Sequence, residues 1–271
     1  MIKFKYFFGS DSRSVPFLST LFNEINDLKV ITLPPNTKGR GRKISSNPVE
    51  IFCNENNIDF DYFDESKQYD DMEFGIVASF SKIFSNSFIK VNSSLFNIHL
   101  SLLPQYRGPT PIETAILNNE IQTGYTIFKI DEDIDTGNII FQNSLNIKNK
   151  YASEIYQEIY NLFKSDYLSI NFHYEGSNQE GLPSLTKKFK KQDFNITDNS
   201  IEVAKNKIKA FDILGPAFMI FNNKILKIHT YSELENDSRI KLGDGFLYPA
   251  QVTPEGKRTM SFDDYLRGLK W

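Results

Sequence analysis

The chain of 271 residues has a single cysteine, Cys53, so no intramolecular disulfide framework is possible and the core holds without covalent staples. No apolar run approaches the roughly 18 residues that a membrane span requires. The amino end lacks both a charged start followed by an apolar stretch and an Arg-rich, Ser-rich amphipathic leader, so the fold is expected to begin at residue 2 or 3. No internal repeat stands out, and the Asn- and Lys-rich loops are a bias of composition. Excess charge of one sign is missing too. With 31 Lys+Arg against 34 Asp+Glu the formal net is −3, which as a total argues against a protein that coats nucleic acid. What remains, 40% hydrophobic and 24% charged residues, is the composition of one large folded domain, or a medium one with a small companion.

Apolar runs at 2–8, 28–33, 74–80 and 95–99 are short, rich in Phe, Ile and Val, and bounded by Gly, Asn, Ser or Pro. Such runs suit strands buried on both faces of a parallel sheet. Between them, Val15, Leu18, Leu21, Phe22 and Ile25 share one helical face behind Pro16. Pro48 opens a second helix through Ile51 and Phe52, and Pro111 a third through Ala115 and Leu117. Strand–helix alternation predicts right-handed βαβ units in a doubly wound α/β sheet. Beyond Gly124, Tyr125–Ile130 and Asn138–Ile147 read as an antiparallel pair, and a long helix is expected near 152–172. The composition shifts near residue 185. Lys187, Lys188, Lys190 and Lys191 form a basic linker into a β-rich tail with short strands expected at 217–221, 224–230 and 245–252. The boundary is placed between a domain of residues 1–185 and a smaller one of residues 186–271.

The chemistry concentrates in Phe96–Gly108. Asn97 and His99 are two apart at the end of a predicted strand, so both side chains leave one face at the edge where open α/β sheets bind ligands. An amide donor beside an imidazole suits acyl transfer, the one steadying a developing oxyanion and the other exchanging a proton. Two such residues in isolation would more often only satisfy a strand end. The acid-rich loop Asp131–Gly137 adds to the pair. A calcium-loop reading fails, since the sixth and twelfth positions are Thr136 and Gln142 where Gly and Glu are needed. The loop could be a solvated tip, or a carboxylate from it could reach His99 and orient the ring.

Asn97-x-His99, Ser101-Leu102-Leu103-Pro104 with Tyr106-Arg107-Gly108, Thr123-Gly124-x-Thr126-Ile127 and Asp135-Thr136-Gly137 together closely resemble the formyltransferases that use 10-formyltetrahydrofolate. The resemblance implies a Rossmann-like formyltransferase domain followed by a small OB-like barrel, with Asn97, His99 and Asp135 as the catalytic set. It also implies that Ser101, Leu102, Leu103 and Pro104 line the folate site, aliphatic side chains flanking the pterin and exposed backbone groups hydrogen-bonding it, with no metal required. The chain departs from the family at Leu100, where members usually carry Pro or Gly. Among the family's substrates, two segments point to one. Leu33–Lys43 is a long segment where a short turn would suffice, and it lacks phosphate-loop spacing. It resembles the basic insertion with which methionyl-tRNA formyltransferases grip the acceptor end, implying tRNA contacts from Lys38, Arg40, Arg42 and Lys43. Residues 254–268 resemble the closing strand and helix of the same enzymes' tRNA-binding barrel, here abbreviated, with Ser261 capping that helix.

The expected partners are therefore initiator methionyl-tRNA and the folate co-substrate, handled by a monomer. Its place would be the mitochondrial matrix if nucleus-encoded, or otherwise the bacterial cytoplasm. An amino-sugar N-formyltransferase and a catalytically inactive folate- or RNA-binding regulator are the competing readings. Cys53 reads as a small buried hydrophobe, and His173 and His229 lack motif context. The distribution of charge qualifies the total. Residues 1–185 carry 16 Lys+Arg against 23 Asp+Glu and residues 186–271 carry 15 against 11, an acidic part and a basic part.

Overall fold

The computed structural model describes residues 3–38 and 43–269. Strand β1 (Phe4–Phe8) leads through helix α1 (Val15–Glu24) to β2 (Leu28–Thr32). A two-stranded ribbon, β3 (Asn36–Lys38) with β4 (Lys43–Ser45), then precedes α2 (Pro48–Glu55) and β5 (Phe60–Tyr62). There follow β6 (Met72–Val77), α3 (Asn86–Val91), β7 (Leu95–His99), α4 (Pro111–Leu117), β8 (Gln122–Lys129), β9 (Ile139–Asn146) and α5 (Ala152–Asp166). The main sheet has the order β5-β2-β1-β6-β7-β8-β9. Pairs from β5 to β7 are parallel, and β8 runs antiparallel to β7 with His99 opposite Thr126. From β1 the chain moves outward through β2 to β5 and then restarts on the other side with β6. The strand order thus reverses between β1 and β6, and the crevice at their carboxyl ends is the ligand position of such sheets.

Local chemistry fixes these elements. Bulky side chains pack well on the pleated sheet, and Tyr6, Phe8, Tyr69, Phe84 and Phe88 form one buried cluster against it. The Phe8 ring meets Phe80 and Phe84 edge-on at 6.1 and 5.8 Å, a favoured aromatic geometry. Asn47 caps α2 by accepting the Val49 and Glu50 N–H groups while its amide donates to the Leu33 carbonyl, so one side chain starts the helix and ties it to the end of β2. The segment around 33–45, read from sequence as an extended basic loop, has a paired stem, Asn36 opposite Ser45 and Lys38 opposite Lys43.

The chain divides into two compact units. The first comprises Met1–Gly108, Gly124–Ser144 and Ile159–Leu185; the second comprises Pro109–Thr123, Leu145–Glu158 and Thr186–Trp271. In the second lie α6 (Ile201–Ala210), β10 (Ala217–Phe221), β11 (Lys224–Tyr231), β12 (Ile240–Leu242), β13 (Gly245–Leu247), β14 (Pro249–Pro254), β15 (Met260–Ser261) and α7 (Phe262–Arg267). An antiparallel sheet β10-β11-β14-β15 packs Leu226, Ile228 and Val252 with Ile208 of α6 and Phe262 of α7. Ser261 caps α7 by accepting the Asp264 N–H, and its hydroxyl donates to the Asp264 carboxylate at 2.7 Å.

Three elements differ from the sequence expectation. The helix expected over 152–172 ends at Asp166, and a 3-10 turn follows at Tyr167–Ser169. There the Ser165 and Ser169 hydroxyls take the Leu162 and Asp166 carbonyls at 2.8 and 2.6 Å, competing with continued helix. The strand expected at 245–252 breaks at Tyr248. Its first part turns back on β12 over the two residues Gly243-Asp244, and Pro249, which has no N–H to donate, opens β14 on β11. The ten-residue α6 was masked in the sequence by lysines between its buried Ala204 and Ile208.

Candidate active site

His99 ends β7 buried, with its ring between two loops. Its Nε2 lies 2.8 Å from the Tyr106 carbonyl oxygen. A carbonyl only accepts, so the ring carries a proton at Nε2. On the opposite side Nδ1 faces Asp135 Oδ2 at 3.6 Å, an ion-pair separation longer than a hydrogen bond. The same Oδ2 accepts the Gly108 N–H at 2.7 Å. Asn97, two residues back on β7, shares the strand face with His99. It is half-buried, and its side-chain amide has no hydrogen-bond partner among the described residues.

Both loops reach this geometry through left-handed backbone. Tyr106 has φ 59° and Gly108 φ 111°, which turn the Tyr106 carbonyl toward the ring and the Gly108 N–H toward the carboxylate. Asp135 itself sits at φ 56°, a conformation that costs a non-glycine residue free energy and persists only where its surroundings impose it. Two contacts impose it here. Gln179 Nε2 donates to the Asp135 and Gly137 carbonyls at 2.8 and 3.0 Å, and the Thr136 hydroxyl donates to Asp131 at 2.6 Å.

Ser101–Pro104 is mostly buried, and its four carbonyls are engaged within the chain. The Ser101 carbonyl accepts from Thr126 Oγ1 at 2.6 Å. Leu103 N–H donates to the same hydroxyl, and the Leu103 carbonyl accepts from Gln142. The Leu102 carbonyl accepts from Gln105 N and the Pro104 carbonyl from Ser184 N. Sequence reasoning gave no role to the three side chains Thr126, Gln142 and Gln179 that organise these loops. Only Thr126 had a signal, its place in the Thr123–Ile127 motif. At the carboxyl ends of β1 and β6, Ser10 Oγ accepts the Ser81 N–H at 2.9 Å, beside Ser79 at φ 45°.

Among the described residues, the other candidates contribute no hydrogen bond to this cluster. Lys38 and Lys43 occupy the last rung of the β3–β4 ribbon, and Arg40 and Arg42 lie outside the described residues. Cys53 is buried in α2, where burial pushes its thiol up to about 11, so it is inert. His173 is exposed near Glu73 at 3.4 Å, and His229 pairs with the Thr253 hydroxyl at 2.8 Å. Among the described residues no cluster of His, Cys, Asp or Glu is arranged to hold a metal, and no helix is long and apolar enough to cross a membrane.

Comparison with known proteins adds to this geometry. The family model described as "Formyl transferase" matches residues 19–168. A methionyl-tRNA formyltransferase of Thermosipho melanesiensis is 30% identical over 286 residues, covering 95% of this chain and 93% of the relative. Among solved structures, an N-formyltransferase of Helicobacter canadensis, in complex with folinic acid and dTDP-3-aminofucose, superposes with TM-score 0.67 at 26% identity. That match covers 93% of this chain and 100% of the other. The methionyl-tRNA formyltransferase of Clostridium thermocellum shares the fold, with TM-score 0.62 at 15% identity over 96% of this chain and 100% of the other.

Proposed function

Because the chain belongs to the formyl transferase family, we propose that it transfers the formyl group of 10-formyltetrahydrofolate to the α-amine of methionyl-initiator-tRNA. The observation that carries this reading is the buried His99 held between the Tyr106 carbonyl and Asp135, with the unengaged Asn97 amide on the same face. The folate supplies a formyl group on N10 that a neutral amine can take. Asn97 donates toward the formyl oxygen as negative charge develops there, a contribution of about 3 kcal/mol for one well-placed donor. The amine nitrogen gives up a proton after it adds to the formyl carbon, and N10 takes one as its bond to that carbon breaks; His99, oriented by Asp135 at Nδ1, relays that proton between them.

On this reading the flat, polar heterocycle of the folate lies in the crevice of the main sheet. Ser10, Ser79 and Ser81 bring hydroxyl and backbone groups to the carboxyl ends of β1 and β6, and Ser101–Pro104 supplies an internally braced wall. Those four residues would then line the folate site, with aliphatic side chains flanking the pterin and the backbone N–H groups other than that of Leu103 free to hydrogen-bond it. The tRNA would be held at two places. One is the basic segment with Lys38, Arg40, Arg42 and Lys43; the other is the basic second unit, whose antiparallel sheet we read as an abbreviated OB-like barrel. On this reading residues 1–185 are the catalytic part, residues 186–271 the tRNA-binding part, and the enzyme works as a monomer. The bacterial relatives support a bacterial cytoplasm over the mitochondrial matrix as its place.

One observation favours a second reading, the higher structural similarity to a sugar N-formyltransferase than to a methionyl-tRNA formyltransferase. The near-full-length likeness to curated methionyl-tRNA formyltransferases and the basic ribbon weigh the other way. The test offers the protein 10-formyltetrahydrofolate with charged initiator tRNA, charged elongator tRNA or a dTDP-amino sugar, and measures formyl transfer to each. Formylation of initiator methionyl-tRNA is expected. Exclusive formylation of the amino sugar would replace the substrate assignment, and transfer to none of them would overturn both readings.

A further inference from the structure

Gln179 lies far from every motif, in a stretch of 173–185 where most residues are exposed, yet it is turned inward and half-buried. Its side-chain amide is fully used. Nε2 donates to the Asp135 carbonyl at 2.8 Å and to the Gly137 carbonyl at 3.0 Å, while Oε1 accepts from Arg107 Nε at 3.2 Å and Nη2 at 2.7 Å. Two donors meet two carbonyls and the acceptor meets a guanidinium, so the amide has one admissible orientation. Arg107 is covalently joined to Gly108, whose N–H holds the Asp135 carboxylate. The contacts therefore close a circuit, from Gln179 to the backbone of Asp135, from its carboxylate to Gly108, and from Arg107 back to Gln179.

The flanking chain fixes the circuit in place. Ser177 exchanges backbone hydrogen bonds with Ile139 at 2.8 and 2.9 Å. At the other end the Ser184 carbonyl accepts the Arg107 N–H at 2.9 Å, and the Ser184 hydroxyl accepts the Tyr106 N–H at 2.8 Å. At Gly137 the loop passes so close to the Lys129 carbonyl oxygen that a Cβ would lie 1.7 Å from it. Asp135 is thus kept at its unfavourable φ by a side chain from a segment more than forty residues on.

We propose that Gln179 is a positioning residue for formyl transfer, fixing through its carboxamide the Asp135 carboxylate that faces His99. The proposal rests on the reading of Asp135 as part of the catalytic set. Only glutamine suits the place. Glutamate would keep the acceptor for Arg107 and lose both donors, and asparagine is one methylene too short to span the two loops. Gln179 does not touch the reacting groups, so its loss acts on the rate through Asp135. Displacing a catalytic group by about 1 Å costs on the order of 10²-fold.

The experiment uses the full chain and single-turnover formyl transfer to the acceptor identified above, comparing wild type, Q179A, Q179E, D135N and the Q179A/D135N double variant. Q179A and Q179E are expected to lose rate about 10²-fold alike, with KM for both substrates and the melting temperature close to wild type. In the D135N background, adding Q179A is expected to cost nothing more, because the group it positions has already been replaced. The proposal is overturned if Q179A is as damaging in D135N as in wild type, if Q179E keeps the wild-type rate, or if the loss follows the melting temperature. A D135N enzyme with wild-type rate would overturn the catalytic reading of Asp135 itself, and the positioning role with it. In the first three outcomes that reading survives if D135N alone is impaired.

Discussion

His99 and His229 show how much a histidine's role depends on what faces it. The ring of His99 is bracketed by a carbonyl and a carboxylate, whereas that of His229 pairs with the Thr253 hydroxyl on a β11–β14 pair, with no carboxylate bonded to it among the described residues. Burial, with the nearby Lys227 charge, holds His229 below the usual imidazole range. The folded state therefore prefers the neutral ring, and the unfolded chain takes up the proton first as pH falls. Stability from this group is complete above an unfolded value of about 6.5 and is lost as pH drops through the lower folded value. Wild type should lose more melting temperature between pH 7.5 and 5.5 than His229→Gln, which keeps a partner for Thr253 and cannot titrate; equal losses would remove His229 as the cause. At this scale the spacing singled out Asn97 and His99 as candidates, and only the family resemblance chose Asp135 from its acidic loop. Neither could show that the Tyr106 carbonyl and the Gly108 N–H complete the site, since backbone groups are common to every residue.

Among the elements, the connection from β8 to β9 is the one most constrained by a single atom. The Lys129 N–H donates to the Asn138 carbonyl at 2.9 Å, and the Lys129 carbonyl leaves no room for a methyl at Gly137. Gly137→Ala should therefore destabilise by roughly 1–3 kcal/mol, the usual cost of overpacking, and slow formyl transfer, because Asp135 lies in the same connection. Thermal denaturation with a parallel rate assay checks this, and an unchanged melting temperature would mean the connection can shift. The parallel strands were legible because they are short, continuously apolar and bounded by turn residues. The ribbon was not, since Asn-Thr-Lys and Lys-Ile-Ser carry no strand periodicity and pair only with each other. Helix α6 was hidden for the opposite reason, its narrow apolar stripe diluted by charged neighbours.

For the molecule as a whole, the net charge of −3 conceals a division between an acidic stretch, residues 1–185, and a basic one, residues 186–271. If Lys38, Arg40, Arg42 and Lys43 meet phosphates, changing all four to Ala should reduce the slope of log binding constant against log salt by about 3. Binding of tRNA measured from low to moderate salt tests this, and an unchanged slope would place the phosphate contacts elsewhere. The composition shift near residue 185 marks the last passage of the chain between its two units. The earlier passages, at residues 108, 123, 144 and 158, left no compositional trace. Segments that join a unit from elsewhere in the chain follow the same local rules as their neighbours, so only the three-dimensional contacts reveal where they belong.

That interleaving has an architectural consequence. The chain passes between the two units five times, and α4 packs on α6 entirely within the second. The tail from Thr186 onward is thus not a detachable cassette. Severed there, it would leave behind α4 and Tyr151, which is packed against its own core. An exchange of the tail at that point would part α6 from α4 and the second core from Tyr151, so the junction that composition marks is not one at which the chain can be cut into two complete cores.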